Sequence, residues 1–141
     1  MPTVVNLQKK ISVVSSSFHP FLETLFGSVN EAAGKDVAVA FVSNRRMKQL
    51  NSFFRGKDST TDVLSFPHEP DEFDPASNNL GDIVISAEQA ARQAGENGLT
   101  LENEIKQLIL HGLLHLCGYD HETDDGEMNR RELELRDKLG I

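Results

Sequence analysis

The sequence has one cysteine, Cys117, among its 141 residues. An intrachain disulfide is therefore excluded, and a chain of this length does not need one, because it buries about two thirds of its unfolded surface on folding. No uninterrupted apolar run approaches the ~20 residues that cross a bilayer, so a membrane span is not expected. The first ten residues, MPTVVNLQKK, lack the long apolar core and cleavage pattern of a secretion signal. A lone thiol without such a signal points to the cytoplasm. Repeats, linkers and low-complexity tracts are missing too, and the expectation is one domain over residues 1–141.

Cations are scarce. Lys and Arg total 14 against 22 Asp and Glu, for a net charge of -8. That balance argues against a sequence-blind nucleic-acid binder, which normally carries an overall basic charge. The distribution is uneven, however. Arg45, Arg46, Lys48, Arg55 and Lys57 follow one another with no acid between them, whereas acids gather in residues 69–74 and 122–127. This reads either as a focused basic strip on an acidic body or as a solvated helix face, and charge alone does not separate the two.

What the sequence does have is histidine in one place. The stretch LHGLLHLCGYDH, residues 110–121, holds His111, His115 and His121, three of the five histidines. A spacing of four puts His111 and His115 on one helix face, where two imidazoles can share a metal ion. Gly118 can take the left-handed conformation that ends a helix and turns the chain back, aiming His121 at the same point. Three neutral imidazoles leave a coordination position for water, as catalytic sites do, whereas a structural site closes that position. The intervals match the metalloprotease pattern HExxHxxGxxH except at Gly112, which stands where the glutamate base would be. The pattern keeps the metal cage and loses the protease's proton shuttle. Cys117, out of step with His115 and His121, is read as a small semi-buried thiol rather than a ligand.

The rest of the chain supplies a scaffold. Residues 3–7 suggest a short first strand. Phe18, Phe21, Leu22, Leu25, Phe26 and Val29 recur at helical spacing, with Pro20 in the first turn and Gly34 as the stop. Residues 36–43, DVAVAFVS, read as a second strand, and Asn44 as the cap of a helix that buries Met47, Leu50, Phe53 and Phe54 and ends at Arg55. DVLSFP at 62–67 and LGDIVIS at 80–86 form a hairpin across a polar, acidic surface loop at 70–79. Ser86 caps a helix over 87–97 that stops near Gly98. Thr100 caps the histidine-bearing helix, with Glu102 and Glu104 at its positive end; Asn103 stands where a capping box would have Glu or Gln. That helix buries Ile105, Leu108, Ile109, Leu113, Leu116 and Cys117. A last helix offers Met128, Leu133, Leu135 and Leu139 to the core. Alternating strands and helices followed by a hairpin predict an α+β fold with a mixed four-stranded sheet, parallel but for one strand, and about five helices.

RGKD at 55–58, TDVLSFP at 61–67, LGDIVIS at 80–86 and HGLLHLCGYDH at 111–121 together resemble the YbeY family of bacterial endoribonucleases, in the same order and over nearly the whole chain. Many members have proline where Thr60 stands, a loop difference away from the histidines. The resemblance implies a zincin-like fold and one divalent metal ion on His111, His115 and His121, with zinc the default for three histidines and nickel a possible substitute. It also implies a functional arginine at Arg55, which suits a phosphate clamp; a surface ion pair with Asp58 is the plainer reading of that residue. The implied activity is metal-dependent cleavage of single-stranded RNA in ribosomal RNA processing, especially maturation of the 16S rRNA 3' end, and in ribosome quality control. Ribosomal RNA and the ribosome would be partners, with ribosomal or assembly proteins docking on the acidic surface.

The general base stays open among the activated water, a substrate 2'-hydroxyl and a nearby acid such as Asp62 or Asp120. Asp120 has a second reading, as an acid that orients a ligand histidine. His68 reads as a loop residue. Two other activities fit the pattern less completely: a peptide metallohydrolase without the usual glutamate, and a non-enzymatic ribosome-associated factor with a structural metal.

Overall fold

The computed structural model describes residues 2–69, 72–73 and 77–141. Part of the surface loop expected at residues 70–79 thus lies outside the described residues. Four strands, β1 (Thr3–Asn6), β2 (Asp36–Val42), β3 (Val63–Pro67) and β4 (Asn79–Ser86), form one sheet in the order β1-β2-β4-β3. β1 and β4 run parallel to β2, and β3 runs antiparallel to β4. Five α-helices accompany the sheet: α1 (His19–Ser28), α2 (Asn44–Arg55), α3 (Ala87–Asn97), α4 (Leu101–Leu116) and α5 (Glu127–Leu139). This is the expected α+β fold, with the mixed sheet and its single antiparallel strand.

The period of two along each strand divides the core. Val37, Val39 and Phe41 of β2 and Ile83 and Ile85 of β4 pack with α1, α4 and α5 in the larger cluster. Val42, Val84 and Leu64 meet Met47 of α2 in a smaller one. α4 is the best-buried helix: Ile109, Leu110, Leu113 and Leu114 have no accessible surface. Burying side chains of this size contributes about 1.5–3 kcal/mol each, so the histidine-bearing helix is anchored against the sheet.

Several local expectations change. The first helical region is three pieces rather than one, because α1 ends at Ser28, Val29 is extended, and short 3-10 turns at Ser15–Phe18 and Asn30–Ala32 flank it. The cap of α2 is Ser43, not Asn44: the Ser43 hydroxyl accepts the Arg46 N–H at 3.1 Å. Asn44 Oδ1 is committed to the Ser86 hydroxyl and, at 3.3 Å, to that of Thr60. Ser86, Thr100 and Gly98 take their anticipated capping roles, and Gly56 caps the end of α2 in the left-handed conformation.

The buried face of α2 is narrower than its sequence suggests. Met47 is inaccessible and Leu50 packs against the smaller cluster, but Phe53 and Phe54 are 82% and 59% exposed. The turn that would carry them inward instead buries Asn51, whose amide donates to the Ser59 carbonyl at 2.9 Å. On α5 the inward face is Met128, Glu132, Leu135 and Leu139, a helical i, i+4, i+7, i+11 stripe. Leu133 falls off that stripe and is exposed.

Candidate metal centre

His111 and His115 stand one turn apart near the end of α4, with ring centroids 4.8 Å apart. The helix stops at Leu116, and Gly118 adopts φ +101°, a conformation that L side chains rarely take. Its N–H donates to the His115 carbonyl at 3.0 Å while the Tyr119 N–H donates to the Leu114 carbonyl at 3.1 Å, which folds the chain back across the helix end. The Tyr119 hydroxyl donates to Glu31 at 3.1 Å and ties down the outside of this turn. His121 is thereby carried to 5.6 Å from His111 and 5.3 Å from His115, centroid to centroid. One nitrogen from each ring lies within 4.8 Å of the others, the only such cluster among the described residues.

The state of the rings matches this use. His111 Nδ1 lies 2.9 Å from Glu132 Oε1, and His115 Nδ1 lies 3.0 Å from the Tyr119 carbonyl oxygen. Both partners accept, so each Nδ1 carries the proton and each Nε2 keeps its lone pair for a ligand bond, as metal-binding histidines require. Burial, and next the neighbouring His111 and His121, hold the His115 pKa below the ordinary imidazole value. That keeps it neutral and able to bind a cation. Burial pushes the Glu132 carboxyl upward, but the His111 hydrogen bond and the His111 and Arg136 charges outweigh it and leave its pKa below normal. Glu132 is therefore an anion, and three imidazoles with a carboxylate behind one of them fit a divalent metal ion.

Gly112 has a steric reason to be glycine. A Cβ there would stand 2.9 Å from Ile83 Cγ2 and 3.1 Å from the Ser65 hydroxyl, and that hydroxyl donates to the Gly112 carbonyl at 3.2 Å. The helix lies directly on the hairpin at the position where a protease carries its base, and there is no room for a glutamate.

The histidines open into a cleft of about 640 Å³, whose wall includes Arg55, Lys57, Asp62, Ser65 and Asp120. Arg55 arrives there as the last residue of α2, before Gly56 turns the chain. Asp58, its partner on the plainer reading, instead lies 3.7 Å from the Lys48 ammonium. Asp62 Oδ1 accepts the Val63 N–H at 2.8 Å. Asp120 reaches the cleft wall but orients no histidine: its Oδ1 accepts the Glu122 N–H at 3.0 Å. Glu132 and the Tyr119 carbonyl do that orienting. The sequence signal for Glu132 was its place on the α5 stripe, four residues after Met128, which reads as a surface position until the helix is docked. His68 is exposed and is not among the residues lining the cleft. Cys117 is half-buried against the larger cluster, burial pushes its thiol pKa up to about 11, and it does not belong to the histidine cluster.

The chain is similar to an Endoribonuclease YbeY of Nautilia profundicola, 48% identical over 112 residues that cover 79% of this chain and 78% of the relative. It is also similar to one of Koribacter versatilis, 44% identical over 98% of this chain and 86% of the relative. A solution structure from Thermotoga maritima, 31% identical, matches 99% of this chain and 89% of that one with a TM-score of 0.66. The family model described as Endoribonuclease YbeY matches residues 3–140, and the chain belongs to that family.

Proposed function

We propose that residues 1–141 act as one domain, a metal-dependent endoribonuclease that cleaves single-stranded RNA in ribosomal RNA processing, including maturation of the 16S rRNA 3' end, and in ribosome quality control. Family membership supports the reaction class. The observation that carries the site assignment is that one cleft gathers the three-histidine cluster and the basic pair Arg55 and Lys57.

His111, His115 and His121 would hold the ion, zinc by ligand type with nickel as a substitute. When bound, it supplies Lewis acidity toward water and phosphoryl oxygen. Glu132 and the Tyr119 carbonyl fix the rings that present the ligand nitrogens. Arg55 is the phosphate clamp, making paired hydrogen bonds to the scissile phosphate and offsetting the charge that grows as phosphorus becomes five-coordinate. Lys57 adds a second cation beside it. Asp62 and Asp120, two of the three carboxylates on the cleft wall with Glu122, are available to accept the proton of the attacking hydroxyl. A peptide hydrolase would need a base at position 112, where a side chain collides with Ile83.

Among the described residues no helix is long and apolar enough to cross a membrane. The proposed setting is the cytoplasm, with the ribosome as partner and the acidic surface docking basic ribosomal or assembly proteins. The deciding experiment is cleavage of a single-stranded RNA carrying the 16S 3' region by the protein, by its His115→Ala variant and by chelator-treated protein. Loss of cleavage in both controls supports the assignment; equal cleavage in all three overturns it.

A further inference from the structure

Phe53 and Phe54 of α2 are adjacent in sequence and both exposed, an arrangement that leaves two large rings in water with no apparent gain in stability. They are not randomly placed. Phe66, in the strand β3 that walls the cleft, meets the Phe54 ring edge-on at 5.0 Å, and Phe54 meets Phe53 the same way at 4.8 Å. The three rings form a row leading outward from the hairpin to the free surface of α2. The next residue after the row is Arg55, in the cleft itself.

Beyond Phe53 the row ends at a shallow hollow of about 410 Å³ whose rim includes Arg45, Lys48, Gln49 and Ser52. Asp58 also stands on that rim, where its charge is offset by Lys48 at 3.7 Å. Arg46, on the same helix, donates to Gln49 at 3.3 Å and has no carboxylate partner among the described residues. The helix therefore presents aromatic faces between cations on a molecule whose net charge is -8. A protein surface meant for a basic partner would carry the opposite sign here. Aromatic rings interleaved with Arg and Lys are what a single strand of nucleic acid requires, because each base offers a face to stack and each linkage offers a negative charge.

Resting on the endoribonuclease reading, we propose that the outer face of α2 is a second RNA-binding surface. Phe53 and Phe54 stack unpaired bases of the substrate strand beyond the cleavage point, and Arg45 and Lys48 hold the phosphates between them. The strand then runs along the aromatic row to Arg55. This surface selects single-stranded RNA, because paired bases have no free faces to offer.

The chain has no tryptophan, so a Phe53→Trp variant carries a single indole reporter at the proposed surface. Binding is measured on metal-free protein with a fluorescein-labelled single-stranded RNA and with an oligomer of the same length carrying abasic residues. Stacking predicts that the RNA quenches the Trp emission and the abasic oligomer does not. It also predicts that Phe53→Ala weakens RNA binding by about 5- to 150-fold with little change for the abasic oligomer. Unchanged RNA affinity in Phe53→Ala together with unquenched Trp emission overturns the proposal. If that variant binds RNA normally but loses binding to ribosomal subunits, the surface serves a protein and the proposal also fails. Metal-dependent cleavage of the same RNA by the unmodified protein is followed separately. Its absence would defeat the endoribonuclease reading, whereas its presence beside an indifferent Phe53 would defeat only the stacking surface.

Discussion

At the scale of single residues, the site depends on side chains that touch no substrate. Glu132 is buried on α5 and holds the His111 ring at 2.9 Å, so Glu132→Gln is expected to lower metal affinity by about 10- to 100-fold, measured by competition with a chromogenic chelator. Unaltered affinity would reduce Glu132 to a packing role. Arg55 is exposed, and its truncation should leave the thermal midpoint unchanged while lowering the cleavage rate by roughly 100-fold, the scale seen when one charge-stabilising donor is removed. Full activity in Arg55→Ala would disprove the clamp. Gly112 is the residue at which this chain departs from the protease pattern, and its sequence reading as a missing base was incomplete. The packing of Ile83 and Ser65 shows that the missing side chain is also a steric necessity.

At the scale of elements, α4 and the turn after it form the ligand platform, and α5 braces it. Gly112→Ala forces a methyl group to within 2.9 Å of Ile83 and should cost about 1–3 kcal/mol, read from denaturant unfolding. A neutral result would mean that α4 shifts freely on the hairpin. The start of α5 has no cap at Gly126 itself; Asp124 serves instead, accepting the Gly126 N–H at 2.8 Å and the Met128 N–H at 3.0 Å. Those backbone hydrogen bonds hold the Asp124 carboxyl below its ordinary value of 3.8. Because the folded-state pKa is depressed, the stabilisation is complete above that ordinary value and is lost as pH falls through the folded one. Thermal midpoints of the protein and of Asp124→Asn should therefore differ near neutrality and converge in strong acid. A constant gap across that range would assign the difference to packing.

At the scale of the whole molecule, the net charge is acidic, but five cations are concentrated on α2 and the turn after it. Five cations, Arg45, Arg46, Lys48, Arg55 and Lys57, set the limit for counterion release. A plot of log affinity for single-stranded RNA against log salt should have a slope no steeper than about -3.5. A steeper slope would require cations elsewhere on the chain. Metal binding at the three histidines would couple to the fold as well, since they come from α4 and from the turn that reverses over its end. Saturating metal at about 100 times its dissociation constant should add roughly 2.7 kcal/mol, seen as a rise of several degrees in the thermal midpoint over chelated protein.

Much of what depends on neighbours along the chain was legible in advance: the i, i+4 histidines, the glycine that reverses the helix, the caps at Ser86 and Thr100, and the alternating strands of the hairpin. These follow from backbone geometry within one or two turns, and the structure retains them. The errors came where a residue's surroundings are supplied by another element. Phe53 and Leu133 lie off the narrow stripe that their helices bury, and Phe54, in register with Met47 and Asn51, is still 59% exposed at the end of α2 beside Phe66. Periodicity gives the existence of an apolar face, while the width of that face is set by the partner it packs on. Glu132 shows the converse, a charged residue drawn inward because the docking of α5 on α4 places a histidine opposite it. The sequence alone determined which three histidines cluster, the order of the strands' segments and the acidic balance. Only the tertiary structure decided which carboxylate braces a ligand, why position 112 is empty, and which aromatic rings face water.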